Sequence, residues 1–305
     1  SIPARIRRRL RGPAVADAPT TVCNAPFTSM YLDQHGGVRA CCQNAHYPMG
    51  YVTERSLSEI WHGARAHRLR RALERGDYSH GCEFCEWQVS DGHGEQAYAR
   101  WYDDLTILAP DPEWPLQLEL SMSNTCNLQC EMCNGDWSSS IRSQREHRPP
   151  LPVVYDDAFF EDLKAFVPHL ERVKILGGEP FLAAETLRVL DLLIASGSTA
   201  RCHVTTNGTQ WSPRVERILD RLPVDVTVSI DGATKETYES IRHGASWDSV
   251  QGNLDRFQAS ARERGTDLSL VFCLMPQNWR EFGTFCRMAS DRGLACGVNV
   301  VTHPE

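Results

Sequence analysis

Cys126, Cys130 and Cys133 stand in a CxxxCxxC spacing. Three thiolates that close together on one loop can ligate three irons of a cubane 4Fe–4S cluster and leave the fourth iron free for an exchangeable ligand. Two other readings compete, a zinc site missing one ligand and buried free cysteines. Zinc sites want a fourth residue, and free cysteines have no reason for this spacing. A second set lies upstream, with Cys82 and Cys85 as CxxC and Cys23 and the Cys41-Cys42 pair before them. The whole chain carries 12 cysteines. Disulfides are disfavoured inside cells, so grouped cysteines there read as metal ligands. Cys202, Cys273, Cys286 and Cys296 are scattered singly.

An intracellular, cytoplasmic setting is itself an expectation from the sequence. No apolar run approaches the length that spans a bilayer, and the N-terminus lacks a signal-peptide core. The formal charge of −7 over 305 residues argues against non-specific nucleic-acid binding, which needs a positive field. Lysine occurs only at Lys164, Lys174 and Lys235, and this arginine bias reads as codon composition of the source. The arginine-rich start at Ala4–Arg11 reads as a solvated basic arm.

These cysteines need elements to position them. Up to about residue 105 strand-like runs are few. The clearest element is a helix opening on Ser56 with Glu59 three residues later, a capping box, and carrying Leu57, Ile60, Trp61, Leu69 and Leu73 on its apolar side. A proline-punctuated linker follows at residues 110–115. Strands then alternate with helices. Strands are expected at 116–121, 172–176, 201–206, 224–230, 268–274 and 295–301, with amphipathic helices near 157–170, 183–195, 213–222, 248–263 and 280–292. The fold class expected is therefore α/β, a partial (β/α)6 barrel over residues 110–305 preceded by a small cysteine-rich module over residues 1–109. In such barrels active sites gather at the C-terminal strand ends. Asp225, Thr227 and Ser229 alternate with Val224, Val226 and Val228. Helices cover the apolar outer faces, so the polar faces should line a wet lumen.

From about residue 116 to 303 the chain resembles the radical S-adenosylmethionine superfamily, because four features agree in order. CxxxCxxC follows the first strand, Gly177-Gly178-Glu179-Pro180 follows the second, Thr206-Asn207-Gly208 closes the third, and Ser229-Ile230-Asp231-Gly232 closes the fourth. The resemblance implies a 4Fe–4S cluster on Cys126, Cys130 and Cys133. It also implies an S-adenosylmethionine site drawing on Met132, Gly177, Gly178, Glu179, Pro180, Asn207, Ser229 and Asp231. In this family the glycines admit the methionine amino group, and the fourth strand supplies ribose and carboxylate contacts. Met132 departs from the usual aromatic residue, and a thioether can still cover the adenine. The implied chemistry is one-electron cleavage of S-adenosylmethionine to methionine and a 5′-deoxyadenosyl radical, which takes hydrogen from substrate carbon. A flavodoxin- or ferredoxin-type reductant is implied as the electron source.

The upstream set is similar to the SPASM and twitch modules that carry auxiliary 4Fe–4S clusters. Residues 31–42 read as a β-hairpin ending in cysteine. The module usually follows the barrel, whereas here it precedes it, and its cysteines suffice for one cluster. Cys23, Cys82 and Cys85 would be joined by Cys41 or Cys42. Four residues separate Gly36 from Cys41 and also Gly37 from Cys42, and Cys41 is preferred. A structural zinc on the same residues is the alternative.

Cys202, Cys286 and Cys296 read as buried small apolar residues. Cys273 shares a strand face with Ser269, so it should point into the lumen. It is either a packing residue or, as in radical epimerases, the donor that returns a hydrogen atom to the substrate. The expected function is epimerisation of a natural product (a sugar, an aminocyclitol or a peptide). Dehydrogenation or peptide cross-linking, with the auxiliary cluster accepting the electron, is the alternative. An iron–sulfur scaffold without enzymatic activity is the third reading, opposed by the GGEP element.

Overall fold

The computed structural model describes residues 21–300, so the basic arm expected at Ala4–Arg11 lies outside the described residues. In chain order the first elements are α1 (Ala25–Thr28), β1 (Ser29–Asp33), β2 (Gly37–Arg39), β3 (Gly50–Tyr51), α2 (Leu57–Trp61), α3 (Ala64–Glu74) and α4 (Glu83–Ser90). Next come β4 (Gln117–Ser121), α5 (Ser139–Gln144), α6 (Asp157–Phe166), β5 (Arg172–Ile175), α7 (Ala184–Ala195), β6 (Arg201–Thr206) and α8 (Pro213–Arg221). The last are β7 (Val224–Ser229), α9 (Lys235–Ile241), α10 (Trp247–Arg264), β8 (Leu268–Leu274), α11 (Phe282–Asp291) and β9 (Ala295–Val300). The chain divides into two compact units, one running to Glu119 and including Val154–Glu171, the other made of Leu120–Val153 and everything from Arg172.

In the first unit the expected hairpin forms from β1 and β2, antiparallel with Tyr31 opposite Arg39. Its turn is built by Asp33, whose Oδ1 accepts from the backbone N–H groups of His35 and Gly37, both at 2.9 Å. Gly36 takes φ +82°, a conformation other residues adopt at a cost. The capping box of Ser56 and Glu59 also forms, but the helix it opens ends at Trp61. The single helix expected there is two. Gly63 starts α3 in an extended conformation, and a Cβ on it would stand 2.8 Å from the Glu59 carbonyl oxygen. Breaking the helix lets each piece bury its own apolar side, and Leu57, Ile60, Trp61, Leu69 and Leu73 are all essentially inaccessible.

In the second unit the parallel ladders run β5–β6–β7–β8–β9. Leu176 N donates to Leu120 O at 2.8 Å, which sets the end of β4 beside β5. The six expected strands are thus present in sequence order as the partial barrel. This unit also contains two short helices that the periodicity does not predict, α5 and α9. Burial alternates along β6, β7 and β8. Val204, Val226, Val228, Leu270 and Phe272 are buried, and α10 and α11 lie against these strands. The opposite face is polar and partly open. There Thr227 Oγ1 lies 3.0 Å from His203 Nε2 and 2.8 Å from Ser269 Oγ.

One expectation about packing fails. Of the single cysteines outside the lumen, Cys202 is buried, whereas Cys286 is only half-buried and Cys296 is exposed. The reason is that β9 is the edge strand and all six of its residues are exposed, so none of the described residues covers Cys296. Among the described residues no helix is long and apolar enough to cross a membrane.

Candidate cofactor centres

The CxxxCxxC loop leaves β4 and is pinned from several sides by backbone bonds. Cys126 N donates to Ser139 Oγ at 3.1 Å, Gln129 N to His243 O at 3.0 Å and Glu131 N to Ile241 O at 2.9 Å. A loop so held presents its side chains without further ordering cost. Cys130 is buried, and Cys126 and Cys133 are half-buried. Burial pushes the Cys126 thiol up to about 11 and the Cys133 thiol up to about 12, and in both the neighbouring cysteines add to the shift. Three soft sulfur donors on one desolvated loop are the donor chemistry of an iron–sulfur cluster, whose binding would expel the thiol protons.

The glycines after β5 meet a steric demand from this loop. Gly177 has φ +112°. A Cβ on Gly178 would stand 2.3 Å from the Thr125 carbonyl oxygen. That closeness lets Gly178 N donate to Ser123 O at 3.1 Å and Glu179 N to Thr125 O at 2.7 Å. The Glu179 side chain is fully buried and accepts from Phe181 N at 3.1 Å, Thr206 Oγ1 at 2.8 Å and Asn207 N at 2.8 Å. Asn207 in turn donates through Nδ2 to Asn127 Oδ1 at 3.1 Å, with Cys126 Sγ at 3.9 Å. GGEP and the TNG end of β6 thus form one buried frame around the first cluster cysteine. Pro180 is buried within it, while Met132 and Ser229 are half-buried and remain partly open to a ligand.

Asp231 is placed differently from the open ligand contact that the resemblance implied. It is fully buried, and its carboxylate pairs with Arg242 at 2.6 Å and accepts from Cys273 N at 2.7 Å. Arg242 lies at the C-terminal end of α9 with one guanidinium nitrogen 4.0 Å from Cys130 Sγ. Burial opposes its charge, yet Asp231, with Cys130 adding, holds the guanidinium more firmly protonated than in water. Asn278 completes the group, donating to Asp231 O at 3.0 Å and Cys273 O at 2.9 Å. The cluster loop and the end of β8 are thereby linked through two buried charges. Sequence reasoning missed Arg242 and Asn278, because each lies beyond a strand-end motif and takes its meaning from a partner on another element. Removing one partner of a buried pair leaves the other uncompensated, so Arg242→Met is expected to destabilise the protein by about 3–5 kcal/mol. Denaturant unfolding checks this, and an unchanged midpoint would refute it.

Cys273 stands half-buried near the C-terminal end of β8. Burial and then Asp231 push its thiol up to about 11, so it carries its hydrogen at neutral pH.

In the first unit Cys23, Cys41, Cys82 and Cys85 line one cavity together with Tyr78, Tyr98 and Tyr102. Cys42 is outside that lining, and its sulfur lies 2.9 Å from Tyr98 Oη. Asn44 Nδ2 donates to Cys82 Sγ at 3.3 Å and Ala25 N to Cys23 Sγ at 3.4 Å. Burial raises all four lining thiols, Cys23 to about 12 and Cys82 to about 11. Four soft donors lining one cavity, two of them already accepting N–H bonds, are the donor chemistry of an iron–sulfur cluster. Of the eight side chains of α4 only that of Cys85 is buried.

Comparison with known proteins identifies two family models in the chain. The model of the Radical SAM superfamily matches residues 120–289, and that of the SPASM iron–sulfur cluster-binding domain matches residues 23–86. Among curated proteins, the mycofactocin maturase MftC of Mycobacterium tuberculosis is 27% identical over 59% of this chain and 43% of its own length. A GTP 3′,8-cyclase of Listeria monocytogenes is 23% identical over 58% of this chain and 51% of its own length. The chain thus spans about half or less of the length of these relatives. The solved structure of Streptococcus suis SuiB bound to its precursor peptide SuiA is 15% identical, with a TM-score of 0.46 over 73% of this chain and 53% of that one. The matched family model covers more than half of the chain and contains the CxxxCxxC loop, GGEP and the buried frame that joins them. The chain belongs to the radical S-adenosylmethionine superfamily and also carries a SPASM iron–sulfur domain.

Proposed function

We propose that this enzyme epimerises a polar natural product (a sugar, an aminocyclitol or a peptide residue) and that Cys273 returns a hydrogen atom to the substrate carbon. When bound, a 4Fe–4S cluster with S-adenosylmethionine would supply the radical chemistry that removes hydrogen from that carbon. Cys126, Cys130 and Cys133 would hold the cluster. Arg242 would keep compensating charge beside Cys130, and Met132, Ser229 and the Gly177–Gly178 backbone would meet the cofactor.

The observation that carries the proposal is the setting of Cys273. Its backbone is fixed by Asp231 and Asn278 while its side chain stays half-exposed at the strand end where barrel chemistry gathers. A fixed backbone with a half-buried thiol, itself hydrogen-bonded to Asp231, suits a hydrogen donor. The enzyme would work in the cytoplasm and draw its electrons from a flavodoxin or ferredoxin. Turnover in deuterated solvent tests the proposal. Epimerisation installs one deuterium at the inverted carbon, whereas a product that lacks two hydrogens and carries no deuterium would end it.

A second reading is net oxidation, with the auxiliary cluster accepting the substrate electron. It draws support from the four cysteines that share one cavity while Cys42 is engaged elsewhere, since a fully ligated cluster can pass electrons but not bind substrate. The ligand set has its own check. Cys41→Ser is expected to lose about four irons per chain, whereas Cys42→Ser keeps them. Equal losses in the two variants would refute the assignment of Cys41.

A further inference from the structure

Cys286 and Cys296 play no part in either cofactor centre. They face each other across α11 and β9 with their sulfurs 4.0 Å apart. Cys286 is half-buried and Cys296 is exposed, so a small reagent reaches the second and the first waits beside it. A tight turn joins the two elements, with Gly293 at φ +69° and Leu294 N donating to Ala289 O at 2.9 Å. Gln258 of α10 braces the turn by donating to Arg292 O at 2.7 Å.

The two elements are held very differently. α11 is anchored to β8 through Phe285, whose ring centroid lies 4.9 Å from that of Phe272. All six residues of β9 are exposed, and its register sets Asn299 opposite Cys273. β9 therefore depends on its ladder with β8 and on the turn. A sulfur separation of 4.0 Å closes to a bond of about 2.05 Å by modest side-chain rotation once the backbone positions are suitable.

We propose that Cys286 and Cys296 form a dithiol–disulfide pair, oxidised by low-molecular-weight disulfides, whose closure ties the edge strand β9 to α11. Cys296 as thiolate attacks the reagent disulfide, forming a mixed disulfide and expelling one small thiol. Cys286 then attacks the Cys296 sulfur, forming the internal bond and expelling the second small thiol. Two protein thiols lose two electrons and two protons, and the reagent gains both to become two thiols. The inference stands apart from the identity of the substrate and from the outcome of the radical reaction.

The test uses the iron-loaded enzyme under anaerobic conditions, titrated with oxidised glutathione, then quenched in acid, alkylated and digested. The expected product is a linked peptide pair joining Cys286 to Cys296, lighter by two hydrogens and restored by reduced glutathione. Amide exchange in β9 should slow about tenfold or more on closure, since the bond shuts a short loop. Cys286→Ser should trap a stable glutathione adduct on Cys296, and Cys296→Ser should leave Cys286 largely unmodified. An unresolved adduct on Cys296 of the unmutated protein overturns the pair. So does the absence of reaction at oxidant levels that leave the cluster absorbance intact. A linked peptide with unchanged exchange in β9 overturns the tie.

Discussion

Anaerobic incubation of the Cys273→Ala enzyme with substrate is expected to give 5′-deoxyadenosine but at least about a hundredfold less epimerised product. The substitution removes the thiol and nothing that holds it. Asp231 accepts from the backbone N–H of residue 273, and Asn278 donates to its carbonyl. Both bonds survive in alanine, as does the Asp231–Arg242 pair. Radical generation should therefore continue while the return of hydrogen fails. Cys273→Ser separates donation from packing, because a hydroxyl fills the same space but releases its hydrogen atom far less readily. It should behave like alanine. Retained turnover in either variant would show that Cys273 is a packing residue.

The other large effect belongs to the cluster loop. Cys130→Ala is expected to remove about four irons per chain and to reduce cleavage of S-adenosylmethionine below detection. Cys130 is the buried member of the trio, and the Arg242 guanidinium lies 4.0 Å from its sulfur. Alanine deletes both an iron ligand and the sulfur that lies beside Arg242. Cys126→Ala and Cys133→Ala should show the same loss of iron with less effect on folding, since both thiols are less buried than that of Cys130. Iron and zinc analysis together with 5′-deoxyadenosine yield reads the outcome. Full iron content with undiminished cleavage would remove the trio from the reaction.

Much of this was visible in the residues because two signals are local. Strand alternation in Val224–Ser229 and helical spacing in Phe159, Leu163 and Phe166 depend on near neighbours, so they located β7 and α6 directly. The CxxxCxxC spacing is local as well. What escaped was relational. Arg242 looks like one more surface arginine until α9 ends beside Asp231, and Asn278 looks like a turn residue until it bridges two strand ends. The break after Trp61 escaped because a capping box marks where a helix starts and says nothing of its length. Cys296 was misjudged because thiols are usually buried, and a burial tendency does not know which strand is the edge. The glycines of GGEP were legible as a motif, but their steric reason, the Thr125 carbonyl 2.3 Å from a Cβ on Gly178, needs two segments far apart in sequence.

Helix α4 buries one side chain, and that side chain is the thiol of Cys85. Most helices stay folded because an apolar stripe resists water, and that resistance does not depend on the state of the cell. Here the anchor is a sulfur, whose hold depends on what it is bonded to. The order of this segment should therefore track iron supply. An iron-starved cell would display Glu83–Ser90 to its proteases, and a chain that failed to mature would be marked for removal at that helix.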